Sequence, residues 1–327
     1  MDLWSRKLLT HFFRMKTLVT HNGAIHADDL FAAATLSLYL DSKGETHKIV
    51  RSRDKETIDG ADYVFDVGGV YDPSLNRFDH HQKNGPGARD NTVPYASFGL
   101  IWKHFGPSLC DGDNELWKKI DTEIVSPIDA ADNGVDVSMP KIKGVSEYVA
   151  ARTFLIFTPT WQEQKSSIDD VFNNQVIEAK RVLRREIEVS RADIVGRKII
   201  MDAYDKSEDK RIIELPDNFP RYLYQNTLSS LSEPVYMICK SRFTDDWKIE
   251  AISKNPNTMQ SRKPFPVAWR GLPNGDSGLK KLTGVEDVIF CHHDGFLMST
   301  GTRESAYKLV EISLNNKEKT KWLSWMK

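Results

Sequence analysis

Residues 17–69 mix two hydrophobic periods, and that mixture narrows the folds open to the chain. "TLVTH" from Thr17, "HKIVRSR" from His47 and "DYVFDVGG" from Asp62 are short apolar runs bounded by turn residues, which predicts strands. Between the first two, residues 28–40 are rich in alanine and leucine and open on Asp28 and Asp29, acids that suit the first turn of a helix. Strand, helix, strand, strand in this order predicts a parallel α/β sheet.

A sheet of that kind gathers ligands at the carboxyl ends of its strands, and ionisable residues fall there. His21 ends the first run, with His26 and Asp28 on the connection to the helix, and Asp66 ends "DYVF". Further on, "NRFDHHQ" presents Asp79, His80 and His81 in succession, and "PIDAADNG" adds Asp129 and Asp132. Taken singly, Asp66 is a turn residue, Asp28 and Asp29 cap a helix, and Asp129 and Asp132 carry no signal. Together, in this order and at strand ends, they point to metal. Histidine with carboxylate is the donor set of Mn²⁺, Zn²⁺ or Fe²⁺, whereas Mg²⁺ or Ca²⁺ alone prefers oxygen throughout. The candidates outnumber what one four-coordinate ion uses. Two ions roughly 3.5–4 Å apart, bridged by a carboxylate and a hydroxide, would serve in-line attack on phosphorus.

Composition removes several alternatives. The 327 residues suffice for two domains, and 45 lysines and arginines against 46 aspartates and glutamates leave no global basic field. A nucleic acid would need a local patch. Cys110, Cys239 and Cys291 form no CxxC pair, which argues against a disulfide framework or a cysteine zinc site and fits a reducing compartment. No apolar run approaches the roughly 20 residues of a membrane span. Residues 1–16, "MDLWSRKLLTHFFRMK", read as an amphipathic presequence or as a basic extension with Met15 close to a second start.

The remaining pattern sets the organisation. "YASFGLIWKHFG" and "NELWKKIDTEIVSPI" read as helices, the second closed by Pro127, and a long charged helix covers about residues 167–197. After Tyr204, "RIIELP", "EPVYMICKSR" and "DWKIEAIS" read as antiparallel strands, and "TRESAYKLVEISLNN" as a closing helix. The expected division is a basic extension over 1–16, a metal-binding domain over 17–165, a connecting helix over 166–200 and a smaller domain over 201–327. In the last, "MQSRKPFPVAWRG" places Arg262, Lys263 and Arg270 among Phe265 and Trp269, either to hold phosphates and stack bases or as a solvated proline-rich loop. Thr302 can cap the last helix, whose free N–H groups with Arg303 would form an anion site. "HHD", residues 292–294, follows the apolar run "VIF" without companions and reads as a strand-end loop, not a ligand set.

"THNGAIHADD", "VFDVGGVYDPSLNRFDHHQ", "IDAADNG", "QSRKPFPVAWRGL" and "GTRESA" resemble the melanocyte-proliferating-gene protein family, a branch of the DHH phosphoesterases, from about Thr20 to Ala306. The resemblance implies an α/β fold, with a parallel-sheet DHH phosphoesterase domain and a smaller α+β substrate domain. It implies a metal-dependent hydrolase acting as a 3′ to 5′ exonuclease on RNA or a short oligonucleotide, in nucleus and mitochondrion or cytoplasm, without a membrane partner. Two divalent cations are expected, Mn²⁺ first, with Mg²⁺, Zn²⁺ or Co²⁺ as alternatives. His21, His26 and Asp66 would hold one ion; Asp28, Asp66, His80 and either Asp132 or Asp129 would hold the other, with Asp66 as the bridge. His81 would face the scissile phosphate as acid or clamp, beside His80, and Asp79 would orient a histidine. Arg262, Arg270, Thr302 and Arg303 are the candidate substrate contacts. The chain departs from the commonest DHH pattern at His26, which stands where an aspartate usually does. It departs again in "FLMSTGTRES", which lacks the histidine of the usual glycine-rich substrate segment. The alternative functions are a small-molecule phosphatase acting on pyrophosphate or short nucleotides and a non-catalytic metal-binding regulator.

Overall fold

A computed structural model describes residues 14–163, 167–216, 218–242, 244–273 and 275–316. The basic stretch read as a presequence or extension lies almost wholly outside the described residues. Two compact units divide inside one long helix, between Arg191 and Ala192.

The N-terminal unit opens with β1 (Lys16–Thr20), α1 (Ala27–Ser42) and β2 (His47–Arg51), followed by the short α2 (Lys55–Asp59) and β3 (Tyr63–Phe65). Then come β4 (Tyr71–Asp72) and β5 (Arg77–Phe78). The sheet order is β2-β1-β3-β5-β4, parallel except for β4, which returns antiparallel to β5. The predicted strands and helix are all present, and the fold is the expected α/β type with a parallel sheet. Register places Thr20 beside Arg51, Val19 beside Val64 and Phe65 beside Phe78, so the ends of β1, β3 and β5 stand together. α1 is buried on nearly every side, Leu30, Phe31, Leu36 and Leu40 among its core residues, as a helix without a polar face must be.

α1 packs on α3 (Ser97–Leu109), which is followed by α4 (Asn114–Ile120), α5 (Ser126–Asp132) and the one-turn α6 (Arg152–Leu155). Pro127, expected to close the helix before it, instead sits in the first turn of α5 after a π-helical turn, Asp121–Val125. A proline in a first turn sacrifices no backbone bond, and the wide π turn absorbs its ring. At Gly99 a Cβ would stand 1.8 Å from Asp129 Oδ2, so the absence of a side chain is what lets α3 approach α5. α7 (Ile168–Lys206) runs nine residues beyond the predicted end and carries the division between the units.

The C-terminal unit contains β6 (Ile212–Glu214), α8 (Arg221–Ser229), β7 (Tyr236–Lys240), β8 (Trp247–Ala251), α9 (Ser277–Thr283), β9 (Val288–Cys291), β10 (Leu297–Thr300) and α10 (Arg303–Asn315). Its sheet runs β6-β7-β8-β10-β9. The purely antiparallel arrangement expected for this half is corrected at one pair: β6 lies parallel to β7, because α8 supplies the crossover that a parallel pair requires. Tyr236, Ile249, Phe265, Trp269, Val288, Met298 and Leu309 belong to the core of this unit.

Candidate metal centre

Three adjacent strand ends build the site. His21 follows β1, Asp66 follows β3, and Asp79, His80 and His81 follow β5; Asp132 is the last residue of α5. Asp66 holds a left-handed φ of 56°, sparsely populated for any residue with a side chain and tolerated best by aspartate, asparagine and glycine. That turn directs its carboxylate between two histidines. Asp66 Oδ2 lies 3.1 Å from His21 Nε2, and Oδ1 lies 3.1 Å from His80 Nε2. His80 Nε2 is also 3.2 Å from Asp132 Oδ2.

Three groups of donors lie within 4.8 Å of one another: His21, His26 and Asp66; Asp66, His80 and His81; Asp28, His80 and Asp132. Asp66 and His80 each belong to two groups. Asp129 belongs to none of them, since Arg89 Nη1 donates to its Oδ2 at 2.7 Å and the Gly99 N–H to its Oδ1 at 3.0 Å. Asp28 accepts the Phe98 N–H at 2.7 Å and the Ser97 N–H at 3.1 Å, so it also anchors the first turn of α3. Asp79 is buried and accepts from the backbone of His80 (2.7 Å), of His81 (3.1 Å) and of Gly69, while His81 Nδ1 stands 2.7 Å away. It fixes the turn that presents both histidines.

The charge balance is unfavourable without a cation. Burial pushes the Asp28 carboxyl well above the usual range, and repulsion from Asp66, Asp129 and Asp132 adds to it. Burial raises Asp29 to about 7 despite the attraction of His21, and raises Asp132 despite His80. Asp66 goes the other way: burial opposes its charge, but hydrogen bonds with His21 and His80 carry it below the usual range. At both histidines burial is the largest single effect and lowers the pKa, but the bond to Asp66 together with the charges of the surrounding carboxylates outweighs it, so both are raised. Apart from the 3.1 Å contact of His21 Nε2 with Asp66 Oδ2, the buried His21 Nε2 and Asp29 Oδ2 atoms, 3.3 Å apart, make no well-formed hydrogen bond. Buried polar atoms left unmatched in a ring of carboxylates and imidazoles are what a divalent cation satisfies, so the donor set fits one.

Asp29 escaped the sequence reading, which took it as a first-turn acid. Its Oδ2 is 3.3 Å from His21 Nε2, and its Oδ1 accepts the His26 N–H at 3.1 Å. The spacing of three between His26 and Asp29 at a helix start was the available signal. Arg89 escaped too, being remote in sequence from both partners; Nε and Nη2 hold Asp121 at 2.9 and 2.8 Å.

In the C-terminal unit, Phe265 and Trp269 are buried in the core, so neither offers a face for a base to stack on. Arg262 donates to the carbonyls of Pro234, Ser229 and Leu231, Lys263 to that of Leu314, and Arg270 to that of Phe265. Thr302 caps α10 by accepting the Ser305 N–H at 3.3 Å. Arg303 is half exposed and pairs with Glu214, whose other contact is the Tyr307 hydroxyl at 2.8 Å; all three line a groove of about 900 Å³. His292, His293 and Asp294 form a further group within 4.8 Å, on the turn after β9.

The chain is 29% identical to the MYG1 exonuclease of Homo sapiens, over 90% of this chain and 85% of that protein. It is 28% identical to the MYG1 protein of Dictyostelium discoideum, over 93% and 98%. Among solved structures, RecJ from Thermus thermophilus in complex with Mn²⁺ matches at 8% identity with a TM-score of 0.29, over 93% of this chain and 53% of that one. So faint a structural likeness adds nothing to the fold described above. The model of the uncharacterised protein family UPF0160, the MYG1 exonuclease family, matches residues 17–314, and the chain belongs to that family.

Proposed function

We propose that this protein is a metal-dependent hydrolase of phosphodiester bonds that removes nucleotides from the 3′ ends of RNA. The observation that carries the reading is the shared carboxylate of Asp66, within 4.8 Å of His21 and His26 on one side and of His80 and His81 on the other. The exonuclease name of its human relative supports the same class. His21, His26 and Asp66 would hold one divalent ion, and Asp28, Asp66, His80 and Asp132 a second, Mn²⁺ being the expected species. Such ions supply Lewis-acid charge for phosphoryl oxygens and lower the pKa of water.

The remaining chemistry belongs to the chain. His81 is 60% exposed, and with Nδ1 held by Asp79 its Nε2 is the nitrogen free to meet substrate. It donates a proton to the leaving oxygen or clamps the phosphate. Asp79, in contact with Nδ1, sets its tautomer. Thr302 and Arg303, at the start of α10, supply an N–H and guanidinium site for a phosphate, once Arg303 is released from Glu214.

The test is full-length protein with Mn²⁺ and RNA labelled at either end. A ladder shortened from the 3′ end, absent in His80→Ala, is the expected result. Cleavage of pyrophosphate alone would favour the small-molecule reading. Metal-loaded protein inert toward RNA, DNA and a chromogenic phosphodiester would overturn the proposal.

A further inference from the structure

Arg51 is the last residue of β2, paired in register with Thr20, one position before His21. Its side chain is 1% exposed and reaches across the strand ends. Nη2 donates to the carbonyls of Gly23 and Ala24, both at 3.0 Å, and Nη1 to Asp169 Oδ1, also at 3.0 Å. The guanidinium lies over the Phe172 ring, 4.8 Å from its centre. Asp169 and Phe172 belong to the first turns of α7.

The two carbonyls matter because of where they sit. Residues 22–25 are the whole connection between His21 and His26, and Gly23 passes through a left-handed φ of 101° within it. Ile25 anchors one end of this loop in the core, but residues 22–24, with the glycine at the turn, are exposed and have no packing of their own to fix them. A planar donor fork gripping adjacent carbonyls does fix them, and a buried arginine braced on an aromatic ring and a carboxylate keeps the fork in place.

We propose that Arg51 is a positioning residue for the metal centre: by holding the Gly23 and Ala24 carbonyls, it sets the spacing and ring orientation of His21 and His26. The proposal rests on the metal-centre reading and extends it to a residue that touches neither metal ligand. Lysine would keep the charge but cannot reproduce the fork on both carbonyls, so Arg51→Lys separates geometry from charge.

Two measurements on the full chain test it. The first is Mn²⁺ affinity by titration calorimetry. Arg51→Lys is expected to bind about 10–100-fold more weakly than the parent at unchanged stoichiometry, the range usual for partners one step removed from a metal. The second is the histidine ring spectrum of the metal-free protein by NMR, in which His21 and His26 resonances should shift and broaden while His47 and His104 stay in place. A merely structural loss would move all of them. Parent-like affinity or unmoved His21 and His26 resonances would overturn the assignment. Should Arg51→Lys fail to fold, Asp169→Asn, at a half-exposed carboxylate, takes its place under the same two criteria. If the parent itself takes no Mn²⁺, the proposed function falls, while the ring spectrum still decides the role of Arg51.

Discussion

Asp79 and His81 are joined by a 2.7 Å contact in which the carboxylate is buried and the imidazole stands in solvent. A rigid base under a free ring is the arrangement expected of a group that meets substrate, since nothing in the core needs the ring. His81→Asn should therefore lower kcat by about 10²–10⁴-fold, the usual span for a lost general acid, and leave Mn²⁺ stoichiometry and the melting temperature unchanged. Single-turnover kinetics with equilibrium metal titration checks it; a variant that loses metal instead would reassign His81 as a ligand.

Asp132 and Asp129 share one helix and have different surroundings, so their variants should fail differently. Asp132→Asn is expected to weaken Mn²⁺ binding with little effect on metal-free stability, because it relieves repulsion from Asp66. Asp129→Ala strips acceptors from Arg89 Nη1 and from the Gly99 N–H, both buried, and should cost about 3 kcal/mol of folding free energy. Urea unfolding of both metal-free variants discriminates the pair.

The pH response of the metal-free protein follows from Asp29. Burial lifts its carboxyl from 3.8 to about 7 in the folded state, so folding favours the protonated form. Its contribution to stability is complete below about pH 4 and disappears as the pH rises through about 7. The raised His21 and His80 act in the same sense, losing their contribution as they deprotonate. Thermal melts should show the metal-free protein less stable at about pH 8 than at about pH 5.5, with Mn²⁺ removing or reversing the trend. An apo protein that gains stability over that interval would contradict the charge balance described for the site.

If Arg303 takes a substrate phosphate as proposed, Glu214, its present partner, would compete for it. The bond from Arg303 outweighs the burial that opposes the Glu214 charge and keeps its pKa below the ordinary value. Glu214→Gln should therefore lower KM for RNA by about 3–10-fold, the equivalent of a surface pair worth about 1 kcal/mol, with kcat unaltered. Steady-state kinetics over a salt series is the check, and an unchanged KM would remove Arg303 from the phosphate-binding set.

The strands and first helix were readable because each has a single period, and the candidate ligands because histidine beside aspartate at a strand end has no packing role. What stayed hidden was pairwise. Asp129 and Asp132 are three residues apart, and only the approach of Arg89, 40 residues earlier, shows which is already committed. β6 has the composition of an antiparallel strand; its parallel pairing depends on α8, whose "RYLYQNTLS" has too mixed a pattern to announce a helix. Arginines in "QSRKPFPVAWRG" looked free because a sequence cannot show backbone carbonyls closing around them.

The left-handed backbone at Asp66 has a consequence for any redesign of the centre. Only three residue types sit there comfortably, and just one of them carries a negative charge. Lengthening that arm by a methylene, the obvious route to a different ion radius, would have to reshape the corner as well as the pocket. If the proposed centre holds a cation, the choice of ion in this protein would thus be guarded by a torsion angle before any coordination bond is formed.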